Sequence, residues 1–118
     1  MFDRLELLIG KENLDKLSKI NVLIVGIGGV GGTALEALVR SGIKNITILD
    51  FDVFAESNLN RQILATYNDI GAFKVDVGIK RCKSINPNVN ITGFKMRLNE
   101  ENINTIGYFD YIIDACYD

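Results

Sequence analysis

Apolar residues along this chain follow two patterns: continuous runs typical of buried strands, and helical spacings typical of amphipathic helices. The runs predict four strands, at residues 21–25, 45–49, 90–96 and 110–116. Helical spacing predicts an N-terminal helical arm and three further helices, at residues 3–18, 33–42, 71–86 and 99–106. We expect the arm, within residues 1–18, to break near Gly10. We also expect Gly42 to end the first long helix as its C′ residue and Asp69 to cap the next one.

The predicted strands and helices alternate, and this order is typical of a parallel sheet. We expect an α/β fold with a Rossmann-like, doubly wound parallel sheet, right-handed crossovers and the strand order 3-2-1-4. The ligand cleft of such a sheet lies beside the first strand, where the direction of winding reverses. Because the predicted strands end with the fourth, we expect residues 1–118 to be the truncated N-terminal part of a larger nucleotide-binding domain.

A glycine-rich turn, GIGGVGG at 26–32, joins the first strand to the first long helix. In a GxGxxG turn Gly26 allows the tight bend, Gly28 lets a ligand approach the backbone, and Gly31 lets helix and strand pack closely. The helix start that follows presents free N–H groups and the positive end of the helix dipole, which suits a phosphate. The alternative is that the glycines only permit close packing. The order of strand, turn and helix favours a nucleotide site.

Charged residues follow at positions where a nucleotide needs them. Asp50 ends the second strand 19 residues after Gly31, where a carboxylate can accept hydrogen bonds from a ribose, and Asp52 follows closely. Lys74 lies in the first turn of the helix at 71–86, where the dipole disfavours a cation unless a bound phosphate compensates. The alternatives are that Asp50 only ends its strand and that Lys74 faces solvent.

The stretch at 51–70 has no clear periodicity, and so long an irregular segment in a compact domain is usually functional or disordered. Apolar anchors such as Leu59 and Tyr67 argue against disorder. The stretch carries SNLNRQ, which supplies groups that bind polyanions: Asn58, Asn60, Arg61 and Gln62.

The number of cationic side chains near the predicted site favours a nucleoside triphosphate over a dinucleotide as the ligand. A pyrophosphate needs little more than the helix start, whereas a triphosphate needs Mg²⁺ and fixed cations. Arg61, Lys74 and Arg4 would supply those cations, although Arg4 also suits a solvated surface. Asp118 follows the fourth strand beside the expected cleft, where it is placed to hold Mg²⁺. No GxxxxGK[ST] motif occurs, which excludes a P-loop.

The composition of the chain excludes further kinds of site and ligand. The net charge of −2 does not favour broad nucleic-acid affinity, and the absence of histidine excludes a histidine base or a zinc–histidine site in this chain. Cys82 and Cys116 form no CxxC pair, and we expect both in the core. Because no apolar run is long enough to cross a bilayer and the N-terminus has no signal-peptide core, we expect a cytoplasmic protein.

Six ordered motifs, which cover nearly the whole chain, resemble the ThiF/MoeB/HesA superfamily that includes ubiquitin-activating enzymes. They are GIGGVGG at 26–32, ILDFD at 48–52, SNLNRQ at 57–62, GAFK at 71–74, INP at 85–87 and DACYD at 114–118. Within the superfamily, RLELLIG at 4–10 and NLNRQ are most similar to the branch of tRNA threonylcarbamoyladenosine dehydratases (TcdA, or CsdL). The MoeB branch usually has NLQRQ and a different N-terminal arm.

The resemblance implies an ATP-dependent adenylating enzyme, in which a substrate carboxylate attacks the α-phosphate of Mg²⁺-ATP and pyrophosphate leaves. In the dehydratase branch the carboxylate belongs to threonylcarbamoyladenosine in tRNA, and adenylation activates it for cyclisation. In MoeB- and ThiF-like proteins it is the C-terminus of a ubiquitin-like sulfur carrier. The partners implied are the modified tRNA or that carrier, a second copy in a homodimer, and a cysteine desulfurase system.

By motif, the resemblance implies that the phosphates contact one set of residues: Gly28, Gly29, Asn58, Arg61 and Lys74. Asp50 would hold the ribose, and Asp118 would coordinate Mg²⁺. Arg61 would act as an internal arginine finger, and Arg4 would reach the γ-phosphate of the partner subunit. Gln62 would orient its neighbours.

Two other classes of function stay open at this point. An NAD-dependent oxidoreductase is the class that GxGxxG alone would favour. A non-catalytic fragment or scaffold is the other, because 118 residues would lack substrate-binding parts of a larger enzyme.

Overall fold

The computed structural model describes residues 11–58, 62–64 and 66–116. Its helices are α1 (Lys11–Lys19), α2 (Gly29–Arg40) and α3 (Lys74–Ile85). Its strands are β1 (Asn21–Val25), β2 (Asn45–Leu49), β3 (Asn90–Phe94) and β4 (Tyr111–Asp114). Between β2 and α3 the chain forms two short 3₁₀ helices, Glu56–Asn58 and Tyr67–Asp69. The part of the predicted helical arm that precedes Lys11 lies outside the described residues.

All four strands pair in parallel, in the order β3-β2-β1-β4. This confirms the predicted Rossmann-like parallel sheet and its strand order. Val22 to Val25 of β1 are buried, because β1 has a neighbouring strand on each side. The apolar run that predicted a buried strand therefore lies at the centre of the sheet.

Helices α2 and α3 cover one face of the sheet, where Leu35 and Val39 of α2 pack with Val75 and Cys82 of α3. The opposite face carries a smaller apolar cluster around Leu23, and the connection from β3 to β4 covers it with four side chains: Met96, Leu98, Ile106 and Phe109. The chain thus winds onto both faces of the sheet and changes face between β3 and β4, as the doubly wound prediction requires.

The connection between β3 and β4 differs from prediction, because residues 100–105 form turns in place of the predicted helix at 99–106. The side-chain oxygen of Asn99 accepts hydrogen bonds from the N–H groups of Glu101 and Asn102. The side-chain oxygen of Asn102 accepts one from the N–H of Asn99. Asparagine side chains satisfy the backbone locally in this way, in competition with a helix.

Asp69 caps a different element from the one predicted. Its carboxylate accepts hydrogen bonds from the N–H and the hydroxyl of Thr66, at 2.8 and 2.9 Å, and so closes the second 3₁₀ turn. Helix α3 begins only at Lys74, with Phe73 in the N-cap position and no side-chain cap. Gly42 does follow α2 in the predicted left-handed conformation, with a φ of 97°.

The carboxylate of Glu36 joins α2 to α3. It is buried and accepts hydrogen bonds from Arg81 of α3 and from Arg40 of its own helix, both at 3.0 Å. The hydrogen bond from Arg81 is the main cause that lowers the pKa of Glu36, and Arg40 adds to it against the opposing effect of burial. Burial raises the pKa of the nearby Cys82 thiol to about 12, and the predicted core position of Cys82 is confirmed.

Arg81→Met should destabilise the intact protein by about 1–3 kcal/mol at neutral pH, because the Glu36 carboxylate then keeps only one partner. A carboxyl group with a lowered folded pKa stabilises the fold above its unfolded pKa, and that contribution is lost as the pH falls through the folded pKa. Urea unfolding at neutral pH and at about pH 3 should therefore show a smaller acid loss in Arg81→Met than in the unchanged protein.

The control for Arg81→Met is Lys16→Met, which removes an exposed ion pair with Glu12 at 3.9 Å. Such surface pairs contribute about 0–1 kcal/mol. Equal destabilisation by the two substitutions would contradict a structural role for the Glu36 contact.

Candidate functional site

Strand β1 ends in a turn that requires glycine. Gly26 has a φ of 85°, in the left-handed region, and its N–H donates to the carbonyl oxygen of Leu49 at 2.8 Å. A Cβ on Gly31 would overlap the carbonyl oxygen of Gly26, so only glycine fits that position. Helix α2 begins at Gly29, four residues earlier than predicted, with Gly28 as an N-cap that has no capping side chain. The first N–H groups of α2 therefore stay available to a ligand.

The carboxylate of Asp50 fixes this turn from the end of β2. Asp50 is 9% exposed, and its Oδ2 accepts a hydrogen bond from the N–H of Ile27 at 2.9 Å. Its Oδ1 accepts one from the N–H of Asp52 at 2.8 Å. Because each carboxylate oxygen can accept a second hydrogen bond, these contacts leave the predicted interaction with a ribose chemically open. Asp50 thus positions the turn, in addition to any contact with a ligand.

Lys74 is the first residue of α3 and is only 8% exposed. Its N–H donates to the carbonyl oxygen of Asp52 at 3.0 Å, which holds the start of α3 against the end of β2. Its ammonium group lies 5.5 Å from the centre of the Phe54 ring, and it forms no ion pair within the described residues. The predicted position in the first helical turn is confirmed, and the alternative of a solvent-facing lysine is wrong.

A cavity of about 940 Å³ lies at the carboxyl ends of the four strands. It is lined by most of the predicted site residues that the structure describes: Gly26, Gly28, Gly29, Asp50, Asp52, Gln62 and Lys74. Gly31 is the exception, because it packs under the turn against Gly26. The cavity has the size of pockets that enclose small-molecule ligands and cofactors.

Gln62 forms part of the cavity wall beside the glycine turn. Its Nε2 would lie 3.4 Å from a Cβ at Gly28, so the absence of a side chain on Gly28 keeps space open between them. Gln62 is 6% exposed, and its buried Oε1 accepts no hydrogen bond in the part of the chain described. A buried polar atom without a partner is costly, and native proteins contain only a few of them.

The remaining predicted site residues lie outside the described part of the chain. Arg4, Arg61 and Asp118 are not described, and neither is Asn60. Asn58 ends the first 3₁₀ helix, but its side chain is also outside the described set. The roles of these residues stay predictions.

Cys116 does not lie in the core, contrary to prediction. It is exposed and lines the cavity. Strand β4 ends at Asp114, and the N–H of Cys116 donates to the Asp114 carboxylate at 3.1 Å, so the chain leaves the strand before the cysteine. Most of β4 is exposed, because within the described residues it pairs only with β1.

Further residues without a predicted role also line the cavity, among them Phe51, Met96, Arg97, Leu98 and Asp114. Asp114 carried a usable signal, because it ends a parallel strand as Asp50 does. No motif marks the segment from Met96 to Leu98. It reaches the cavity because β3 lies beside β2 and ends at the same edge of the sheet.

Other features of the described residues offer no second site of this kind. A smaller cavity of about 170 Å³ lies at the opposite edge of the sheet, among the first residues of three strands: Asn21, Asn45 and Asn90. Across residues 11–58, 62–64 and 66–116, no three His, Cys, Asp or Glu side chains are grouped to hold a metal ion. In the same ranges, no helix has the length and apolar character to span a membrane.

Comparison with known proteins identifies the family to which this chain belongs. Residues 2–118 match the model of the ThiF family. The tRNA threonylcarbamoyladenosine dehydratase of Bacillus subtilis is 41% identical over 117 residues, which are 99% of this chain and 45% of that protein. The sulfur carrier protein adenylyltransferase of Thermus thermophilus is 34% identical over 108 residues, which are 91% of this chain and 40% of that protein.

A solved structure of another tRNA threonylcarbamoyladenosine dehydratase is also similar to this chain. The crystal structure of Escherichia coli tRNA N6-threonylcarbamoyladenosine dehydratase, TcdA, in complex with ATP superposes with a TM-score of 0.92 at 34% identity. The match covers 99% of this chain and 49% of that one. The present chain thus spans less than half the length of each of these three relatives.

Asp50→Asn should loosen the glycine turn, because an amide can accept only one of the two backbone hydrogen bonds that the carboxylate accepts. We expect the amide of Ile27 to exchange its hydrogen about tenfold faster or more, measured by NMR or mass spectrometry on the intact protein. Asp52→Asn, at an exposed position, is the control. Unchanged exchange at Ile27 in Asp50→Asn would contradict the positioning role.

Proposed function

This chain belongs to the ThiF family, and on that premise we propose that it forms the nucleotide-binding part of an enzyme that adenylates a substrate carboxylate with ATP. The observation that carries the proposal is the buried Lys74 at the start of α3, which forms no ion pair with the described residues and lies in the same cavity as the glycine turn. A cation buried without a counter-ion is costly, and a polyphosphate would supply the missing negative charge.

The site suits a nucleotide in two further ways. Helices α2 and α3 both begin at the cavity, so the positive ends of two helix dipoles lie close to where the phosphates would bind. The Escherichia coli TcdA structure, which superposes on this chain with a TM-score of 0.92, is a complex with ATP. These observations favour ATP over NAD, the cofactor of the alternative oxidoreductase.

The proposed reaction needs alignment and charge stabilisation more than proton transfer. A carboxylate oxygen of the substrate attacks the α-phosphorus of ATP, the bond from that phosphorus to the bridging oxygen breaks, and pyrophosphate leaves with the electron pair. Because a carboxylate is already deprotonated at neutral pH, no general base is required. Lys74, together with Arg61 as an internal arginine finger and Asn58, would stabilise the charge on the phosphates.

Mg²⁺ would accompany the nucleotide and reduce repulsion among the phosphate oxygens. Mg²⁺ in such sites is usually held by one or two carboxylates together with substrate phosphates, so a cluster of three acidic side chains is not required. Asp114 already lines the cavity at the end of β4. We propose Asp118, which follows it closely in the sequence, as the carboxylate that coordinates the ion.

We propose threonylcarbamoyladenosine in tRNA as the source of the carboxylate. Ring closure of its adenylate would expel AMP, which carries away the former carboxylate oxygen, so that the nucleoside loses the elements of water overall. The 41% identity to a tRNA threonylcarbamoyladenosine dehydratase supports this substrate. The 34% identity to a sulfur carrier protein adenylyltransferase favours the second candidate, adenylation of the C-terminus of a ubiquitin-like sulfur carrier. The first step, attack on ATP by a carboxylate, is the same for both.

The proposal includes an assembly and a location. The protein would act in the cytoplasm as a homodimer in which Arg4 of each subunit reaches the γ-phosphate bound by the other. A cysteine desulfurase system is the further partner that we propose. Cross-linking through a cysteine placed at residue 4 would test the dimer.

Lys74→Met should lower the rate of ATP–pyrophosphate exchange by about 10²–10³-fold, the size expected for loss of one group that stabilises charge at the phosphates. Methionine keeps the apolar stem beside Phe54, so the fold should persist. Lys95→Met, at a half-exposed lysine paired with Asp76 outside the cavity, is the matched control. Exchange at the unchanged rate in Lys74→Met would refute the phosphate-binding role.

The substrate class is tested by what stimulates exchange in the intact protein. We expect threonylcarbamoyl-modified tRNA to stimulate ATP–pyrophosphate exchange, and unmodified tRNA to fail because it lacks the carboxylate. Stimulation by a ubiquitin-like carrier alone would instead support the second candidate. Tight binding of NADH without binding of ATP would overturn the proposal that the protein is an adenylating enzyme.

A further inference from the structure

Positive charge is concentrated in two segments of this chain, although its net charge is −2. Residues 37–49 and 77–99 contain seven lysine or arginine side chains and no carboxylate, so all 15 acidic side chains lie elsewhere. The first segment runs from the end of α2 through β2, and the second runs from α3 past the end of β3. Because β2 pairs with β3 and α2 packs on α3, the fold brings the two segments together.

Five of these cations form one exposed group, the basic patch: Arg40, Lys44, Lys80, Arg81 and Lys83. Arg40 of α2 and Arg81 of α3 both reach the carboxylate of Glu36, each at 3.0 Å. Lys80 and Lys83 lie on either side of Arg81 in α3. The carbonyl oxygen of Lys44 accepts a hydrogen bond from the N–H of Asn90 at 2.7 Å, so the start of β2 lies beside the start of β3. The basic patch thus covers the later turns of both helices and the connection that follows α2.

Most of the charge of the basic patch has no counter-ion. Lys44, Lys80 and Lys83 form no ion pair with any described residue. Arg40 and Arg81 share one carboxylate, which leaves one positive charge in excess. The helix dipole explains a cation in the last turn of a helix, as at Arg40 and Lys83, but it does not explain Lys44 or Lys80. Like charges held together repel one another, and a bound polyanion would relieve that repulsion.

The surface around the basic patch is polar. Within residues 31–50 and 74–102, all of which the structure describes, every large apolar side chain is buried or half-buried. The core of a protein–protein interface is rich in aromatic and apolar side chains, and a helix that binds a membrane surface needs an apolar face. An interface with a nucleic acid is more polar and much more positive, which matches this surface.

From this charge and polarity, and resting on the proposed function, we infer that the basic patch binds the phosphate backbone of the tRNA whose nucleoside enters the cavity. Helices α2 and α3 both begin at the cavity, and each has 12 residues, a length of about 18 Å. A stacked strand spans that distance in about five bases, and a duplex of that length carries about ten phosphates. Such contacts hold the RNA in place without reading its sequence.

The test combines Lys44→Gln, Lys80→Gln and Lys83→Gln in the intact protein. Binding of tRNA, with or without the threonylcarbamoyl group, should weaken about 10- to 100-fold at about 0.1 M salt. The slope of log affinity against log salt concentration should become shallower by about 2–3, because each phosphate contact contributes about 0.7–0.9. Mg²⁺-ATP should bind normally, since none of the three lysines lines the cavity.

The matched control combines Lys44→Arg, Lys80→Arg and Lys83→Arg. It keeps the charge at each position, and arginine also binds phosphate, so tRNA affinity should stay within about twofold of that of the unchanged protein. In steady-state assays, the glutamine variant should raise the KM for modified tRNA and leave kcat unchanged, because saturating tRNA restores the complex. An unchanged midpoint of urea unfolding in both variants excludes loss of the fold as the cause.

Three outcomes would overturn the assignment of the basic patch to tRNA. Unchanged tRNA affinity and salt dependence in the glutamine variant would show that the patch does not bind RNA. Equal weakening in the arginine variant would show that charge is not what the RNA requires. Loss of stimulation by a ubiquitin-like carrier, with tRNA binding intact, would assign the patch to an acidic protein surface.

Failure of the proposed function is distinguishable from failure of the basic patch. If the unchanged protein binds tRNA through the patch but catalyses no ATP–pyrophosphate exchange, adenylation is refuted and the patch stands. If the unchanged protein binds no tRNA but catalyses exchange with a carrier, the patch is refuted and adenylation stands.

Discussion

The cavity depends on one buried carboxylate, that of Asp50, which bonds two parts of the chain 23 residues apart. Oδ2 of Asp50 accepts a hydrogen bond from the N–H of Ile27, and Oδ1 accepts one from the N–H of Asp52. The carbonyl oxygen of Asp52 in turn accepts a hydrogen bond from the N–H of Lys74. The glycine turn, the end of β2 and the start of α3 are thus linked by three hydrogen bonds in series. Two of the three have an ionised acceptor, and such bonds are stronger than those between neutral groups.

This linkage concentrates positive charge around the cavity. It places the start of α3 beside the start of α2, so that positive helix ends and the Lys74 ammonium lie around one cavity. Carboxylates of Asp52 and Asp114 line the same cavity and offset part of that charge without pairing directly with Lys74. A polyanion bound with a divalent cation would match such a mixture of charges better than an isolated anion would.

The sequence was sufficient for the parts of the structure that follow from periodicity and strand order. The four strands, the order β3-β2-β1-β4 and the clustering of Gly28, Asp50 and Lys74 follow from apolar runs and from the shared carboxyl edge of parallel strands. The turns at 100–105 were not predictable from helical spacing, because the side chains of Asn99 and Asn102 compete for the backbone. Arg97 reaches the cavity through packing of a loop, which leaves no periodic signal.

The similarity of this chain to relatives with different substrates bears on how one fold serves more than one reaction. Two relatives whose names specify different substrates, a tRNA nucleoside and a sulfur carrier protein, are 41% and 34% identical to this chain over nearly its whole length. Similarity across different substrates is expected if this segment holds what the reactions share, the nucleotide. Under the proposed function, the contacts that select the carboxylate would belong mainly to residues outside the nucleotide site.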